Sequence, residues 1–334
     1  MRRKVLIIIA FILPCLASSA QGIRYWSEGP LTWKDFRMAD SADIEPSLSV
    51  SWIHELSKVK IGKTVYKYID IQTISSPQNS WVGQSMLSGS ALVKQQEYFD
   101  KAESIGRMMR DTLLYSSMQM KKLNRWASAK LREEFTANPP GKDSFDITKV
   151  PLDISRSGIG ASLKFVGTLP LGDMSRLCGF FQTVAAEIEY NTGRLYFDAG
   201  CSFGYGKYKG DVIGVSGAGK EKKDLFIFGW NAGPGYVLSD GKFNRLSVFA
   251  QAGSKSYYFK PGPVRGLSII EGIRLDHLIR EKYLFLSSDK ARNRQHLQIS
   301  VFADQVWNSS KGVFIPSVNA SIGLSFTRNG VKVK

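Results

Sequence analysis

Between residues 158 and 328 apolar side chains recur at every second position through eight successive runs, a period that only extended strands satisfy. The runs cover 159–169, 180–190, 195–206, 225–238, 243–259, 266–276, 297–304 and 318–327. In the third, Leu195, Phe197, Ala199, Cys201, Phe203 and Tyr205 share one face, and Asp198, Gly200, Ser202 and Gly204 the other. In the last, Val318, Ala320, Ile322, Leu324 and Phe326 oppose Asn319, Ser321, Gly323, Ser325 and Thr327. The spacing predicts eight strands, with a helix conceivable only in 277–286.

Alternation alone fits a soluble β-sandwich and a membrane barrel equally. The charges separate them. Glu187, Glu189, Asp198, Arg245, Arg274, Asp276 and Asp304 all fall on the polar phase, which is otherwise filled by Gly, Ser and Asn rather than by the Lys-rich surface of a sandwich. Connections also alternate in length: short at 191–193 and 239–242, long at 206–224, the outer-membrane arrangement. The link at 277–296 breaks that rule and reads either as a longer periplasmic excursion or as strand whose bounds are drawn too short. We therefore expect an all-β, eight-stranded antiparallel outer-membrane barrel over 151–334, filled by side chains rather than open. The seven charged residues are expected to pair inside it. The phrases Gly158-Ile159-Gly160-Ala161-Ser162-Leu163 and Leu171-Gly172-Asp173 resemble the first hairpin of small Gram-negative outer-membrane β-barrel proteins.

The chain begins with Arg2-Arg3-Lys4, an apolar run over 5–13 and Ala17-Ser18-Ser19-Ala20, the pattern of a secretory signal cut after Ala20. Pro14 beside Cys15 disfavours lipidation there. Export implies an oxidising compartment, although sequence leaves the pairing of Cys178 and Cys201 open.

Residues 21–150 differ from the rest. They hold 18 basic and 15 acidic residues, against 24 and 14 from 151 onward. Asn138-Pro139-Pro140-Gly141-Lys142 reads as a linker at their end. Two strand-like runs, 48–58 and 64–74, precede a helical stretch from 91 to about 136 in which Tyr98, Ala102, Ile105, Met109 and Leu113 form a stripe. This half is expected to be an α+β periplasmic domain with a long helix.

Three fragments of that half, Leu31-Thr32-Trp33-Lys34-Asp35-Phe36, Ser80-Trp81-Val82 and Leu92-Val93-Lys94-Gln95-Gln96-Glu97-Tyr98-Phe99-Asp100, resemble a secreted bacterial family of putative zinc proteases of unknown function. The resemblance covers about a third of the chain. It implies an L-T-W-x-D-F strand and a zinc helix, H-E-Q-x-H-F-D, in which two imidazoles at i and i+4 hold the metal and the Glu polarises its water. Here those positions are Lys94, Gln95 and Tyr98. An ammonium repels the cation, an amide takes no proton, and a phenol titrating near 10 is a poor ligand at neutral pH. The resemblance thus implies a degenerate, metal-free and non-catalytic module, with no cofactor.

Other chemistry is thinly supported. Three Cys and three His leave little for a Cys/His metal site. His54, His277 and His296 have no ligand spacing. A Ser/His lipid hydrolase would need His296 and Ser300 in contact, yet four residues of strand separate them by about 13 Å. Gly217-Ala218-Gly219-Lys220 lacks the frame of a phosphate loop. The net charge of +16 would suit nucleic acid, but export argues against that partner. Lys207, Lys209, Lys220, Lys222 and Lys223 on one connection, and Arg280, Lys282, Lys290, Arg292 and Arg294 on another, suit lipopolysaccharide phosphates and anionic headgroups. The expected role is non-catalytic anchoring with binding or scaffolding of outer-membrane lipid, a periplasmic protein or a peptidoglycan-associated partner. An active peptidase or barrel lipid hydrolase and a soluble β-sandwich binding module are the alternatives.

Overall fold

The computed structural model describes residues 22–116, 118–133, 145–172, 175, 178–208, 223–259, 263–286, 289–308 and 313–334. The leader 1–20, the linker 138–142, Asp173 and the glycine-rich segment 217–220 lie outside them, as do Lys209, Lys220 and Lys222. The chain divides into two compact units. One comprises the residues up to Val59, Lys67–Val150 and Phe285–Asp289, and the other Lys60–Tyr66, Pro151–Leu284 and Lys290–Lys334.

In the first unit, short strands β1 (Arg24–Tyr25), β2 (Arg37–Met38) and β5 (Trp81–Val82) accompany a long hairpin of β3 (Val50–Ile61) and β4 (Thr64–Ser75). The hairpin turns at Gly62, whose φ of 59° suits a residue without Cβ. Helix α1 (Gly89–Tyr115) starts where Ser88 accepts from the Ala91 amide at 3.2 Å, an N-cap. The expected single helix over 91–136 is instead two: Ser116 sends both its amide and its hydroxyl to Thr112 O and closes α1, and α2 (Met120–Arg132) follows. Ala102, Ile105, Met109 and Leu113 pack with Ile71, Leu123, Ala127 and Leu131. Tyr98, assigned to that stripe, is 37% exposed; its neighbour Phe99 is fully buried and takes the core position.

In the second unit eight strands form a ring: β6 (Leu152–Pro170), β7 (Phe181–Thr192), β8 (Leu195–Tyr208), β9 (Lys223–Asp240), β10 (Asn244–Tyr258), β11 (Pro263–Phe285), β12 (Lys290–Asn308) and β13 (Val313–Val333). Each neighbour in sequence is a neighbour in the ring, β13 pairs back to β6, and β11 pairs with β12. The seven pairings with known register are antiparallel. The strands outrun the sequence-based bounds at most ends. The largest difference is at 277–296, which is neither helix nor excursion. There β11 and β12 continue as strands, and Leu286 and Asp289 exchange backbone hydrogen bonds. Charge at alternate positions obscured this: Glu281 meets Arg292 Nε at 2.5 Å and Arg294 Nε at 3.1 Å.

The ring is apolar outside and polar inside. Outward-facing Ile188, Phe165 and Ile159 are 67%, 64% and 62% exposed, while Asn319, Ser321, Ser325 and Thr327 on β13 are buried. Aromatic rows mark both ends of the outer face. Tyr205, Phe226 and Tyr258 are register partners toward the long connections, and Tyr190 pairs with Phe197 toward the short ones. Phe197 and Tyr205 are about 26 Å apart along β8, eight residues at about 3.3 Å each.

Candidate functional site

The inward face holds two chemistries. Toward the long connections Cys178, Phe181, Tyr208, Leu225, Ile227, Tyr257, Phe259, Val264, Val306 and Ile315 form one apolar cluster. Toward the short turns lies the charged network. Glu189 and Asp198 are register partners on β7 and β8, Ser247 faces Arg274 and Arg245 faces Asp276 on β10 and β11, so two acids stand on one wall and both guanidiniums, with Asp276 between them, on the other.

Arg274 joins them. Its Nη2 lies 2.6 Å from Glu189 Oε2, Nη1 2.9 Å from Asp198 Oδ2 and Nε 3.5 Å from Asp276 Oδ2. Its guanidinium sits 4.2 Å from the centre of the Tyr196 ring, with Arg245 at 5.1 Å, and Tyr196 donates to Ser247 Oγ at 3.2 Å. Gly235, opposite Tyr196 in register, makes that arrangement possible, because a Cβ there would overlap the phenol ring. Gln298 donates to Asp276 at 2.8 Å. Charges this deep are tolerated only when paired.

The remaining two acids use lysines that the sequence reading passed over. Glu187 Oε2 takes Lys164 Nζ at 2.5 Å, and Asp304 takes Lys255 Nζ together with Ser268 Oγ at 2.7 Å. Both lysines sit at inward phase in their strands, a signal available from period alone. All seven acids and arginines named from sequence lie on the inward face, in three groups rather than one.

His296 is buried on β12, and Ser300 is hydrogen-bonded to Ser321 at 2.6 Å, so the two do not form a nucleophile–base pair. His277 Nδ1 meets Asn244 Oδ1 at 2.7 Å. Cys178 and Cys201 are free thiols. Among the described residues no group of three or more His, Cys, Asp and Glu is placed to hold a metal.

In the first unit the three motif fragments pack together. Residues 31–36 do not form a strand: Thr32 and Asp35 make a capping box around a 3-10 turn at Trp33–Asp35, and the Asp35 carboxylate accepts from the Thr32 amide at 2.7 Å. The chain then enters β2, parallel to β5, which contains Trp81 and Val82. Gln96 Oε1 accepts from the Leu31 amide at 2.7 Å, and Asp100 Oδ1 accepts from Trp26 Nε1 and Gln96 Nε2, both at 2.8 Å. Lys94 and Tyr98 lie exposed on α1, and Gln95 donates to Pro46 O at 3.1 Å.

No family model matches the chain, and no curated relative does. Among solved structures, it is similar to the N-terminal β-barrel domain of Pseudomonas aeruginosa OprF (13% identity, TM-score 0.29, 52% of this chain and 99% of that one). It is also similar to Neisserial surface protein A (10%, 0.31, 52% and 97%) and to the outer membrane protein AlkL (11%, 0.25, 60% and 98%).

Proposed function

We propose that this chain is an outer-membrane protein whose eight-strand ring spans the bilayer, and whose residues 21–150 form a periplasmic, protease-like but metal-free module that binds an envelope component without catalysis. The inverted polarity of the ring carries the membrane reading. A ring dissolved in water would lose stability by exposing Phe165, Ile188 and Trp307 while burying Arg274, Asp198 and Asp304. A ring in lipid needs that distribution, and its strands exceed the nine to eleven residues or so that a tilted spanning strand requires. At a strand tilt of about 40° the aromatic rows lie roughly 20 Å apart along the normal, just inside the edges of an apolar band about 25 Å tall. With β6 starting and β13 ending at the short-turn end, the chain enters and leaves the ring on one side, which is periplasmic in such proteins.

The non-catalytic reading of the module rests on donor chemistry at Lys94, Gln95 and Tyr98. It is supported by Gln96 and Asp100, whose side chains are engaged in holding Leu31 and Trp26. Fractionation with and without boiling before electrophoresis tests the ring: the unboiled protein should migrate differently and require detergent. A chain soluble without detergent and indifferent to boiling would overturn the membrane reading. For the module, the full chain should hold no stoichiometric zinc and cleave no casein. Lys94→His/Gln95→Glu/Tyr98→His should gain measurable zinc, because Lys94 and Tyr98, at i and i+4, are both exposed on one face of a continuous helix. Stoichiometric zinc in the native chain would sink the non-catalytic reading.

A further inference from the structure

The short-turn end of the ring opens into a cavity of about 470 Å³ whose lining includes Arg156, Arg194, Arg245, Arg292 and Arg294 against, among the described residues, a single carboxylate, Asp240. The guanidiniums come from β6, the β7–β8 turn, β10 and β12, so they converge from around the opening. Their internal partners leave charge over. Arg292 and Arg294 share one oxygen of Glu281 at 2.5 and 3.1 Å. Arg245 spends Nη1 on Glu189 at 3.3 Å, while its Nε and Nη2 are buried without a hydrogen-bond partner among the described residues. Arg156 and Arg194 make no ion pair among the described residues.

Buried guanidinium N–H groups without acceptors are costly, and a recess lined by one sign of charge concentrates counter-ions. The planar fork of arginine matches oxyanions, phosphate above all. We propose that this cavity binds a phosphate-class oxyanion, with Arg156 and Arg194 as its outer clamp and the idle donors of Arg245 at its floor. The proposal is independent of whether the ring lies in a membrane. The phosphate can belong to a soluble ligand or to a lipid headgroup reaching over the rim, and the two are separable.

The test is calorimetric titration of the full chain, in neutral detergent, with pyrophosphate. The expected result is one saturable site that weakens as salt is raised. Affinity should fall about tenfold or more in Arg156→Gln/Arg194→Gln, whose boil-dependent gel mobility should match the parent. Lys207→Gln, on exposed β8 surface at the far end, should bind as the parent does. Repeating the titration in micelles doped with phosphatidylglycerol distinguishes the sources: loss of pyrophosphate binding to the doped lipid identifies a headgroup, and unchanged binding identifies a soluble phosphate. A parent protein that shows no saturable binding, or a double variant that binds like the parent, overturns the proposal.

Discussion

Glu189 on β7 and Arg274 on β11 stand four strands apart in an eight-strand ring, as far apart around it as two strands can be, and their side chains meet at 2.6 Å. Arg274 also reaches Asp198 on β8 at 2.9 Å. The pair is a strut across the lumen, and an apolar cluster lies beyond it toward the long connections. This is the packing expected of a narrow ring whose interior just accommodates side chains.

Removing the strut from one side leaves uncompensated buried charge. Arg274→Ala strands Glu189, Asp198 and Asp276 together, and should destabilise the folded ring by about 3–5 kcal/mol. Glu189→Gln keeps one acceptor oxygen for one of the two arginines and removes no cation, so it should cost distinctly less. Urea titration followed by boil-dependent gel mobility gives both values, and equal losses would refute the strut.

The outer face makes the opposite demand. Leu163 is 53% exposed and register-paired with Ala186 and Leu324 near the middle of the apolar band. Leu163→Arg should cost about 2–4 kcal/mol if the face meets lipid. On a water-facing surface the same change would be close to neutral. Refolding yield into phospholipid vesicles, compared with the parent, reads the difference directly.

What the sequence made legible follows from period. Strand number, and which face of β8 and β13 is apolar, were readable because two-residue alternation survives wherever one face is apolar. Strand ends were not, because beyond the apolar band both faces become polar, as at Glu281, Arg292 and Arg294, and the alternation disappears. Which charges meet was also hidden: Glu189 finds Arg274 only because the ring closes, a relation 85 residues apart in sequence. The slip from Phe99 to Tyr98 has a local cause, since two adjacent aromatics both fit a three-or-four spacing and only packing selects one.

In the first unit, acidity should act through His54. Burial lowers its pKa, opposed by a hydrogen bond to Asn124. With the folded value below that of the unfolded chain, near 6.5, the unfolded state binds the proton more readily. The stability present above about pH 6.5 is therefore lost as pH falls through and below that value. Hydrogen–deuterium exchange of β3 amides should accelerate between about pH 7 and about pH 5 beyond the intrinsic pH effect. His54→Gln, which carries no titrating ring, should remove that excess.

The contacts of Asp100 assign it a structural task. It accepts from Trp26 Nε1 and from Gln96 Nε2, and Gln96 in turn holds the Leu31 amide. Asp100→Ala leaves an indole N–H and an amide in a part-buried setting without their acceptor, a loss of about 1–3 kcal/mol. Asp100→Asn keeps one acceptor oxygen and should recover much of it. The consequence should be local: residues 22–31 lose their tether to α1, so limited proteolysis should cut the Asp100→Ala chain in that segment before any other described part of the unit. Protection of 22–31 equal to the parent's would show that Leu31, Phe36 and Phe99, packed in one cluster, hold the segment without the carboxylate.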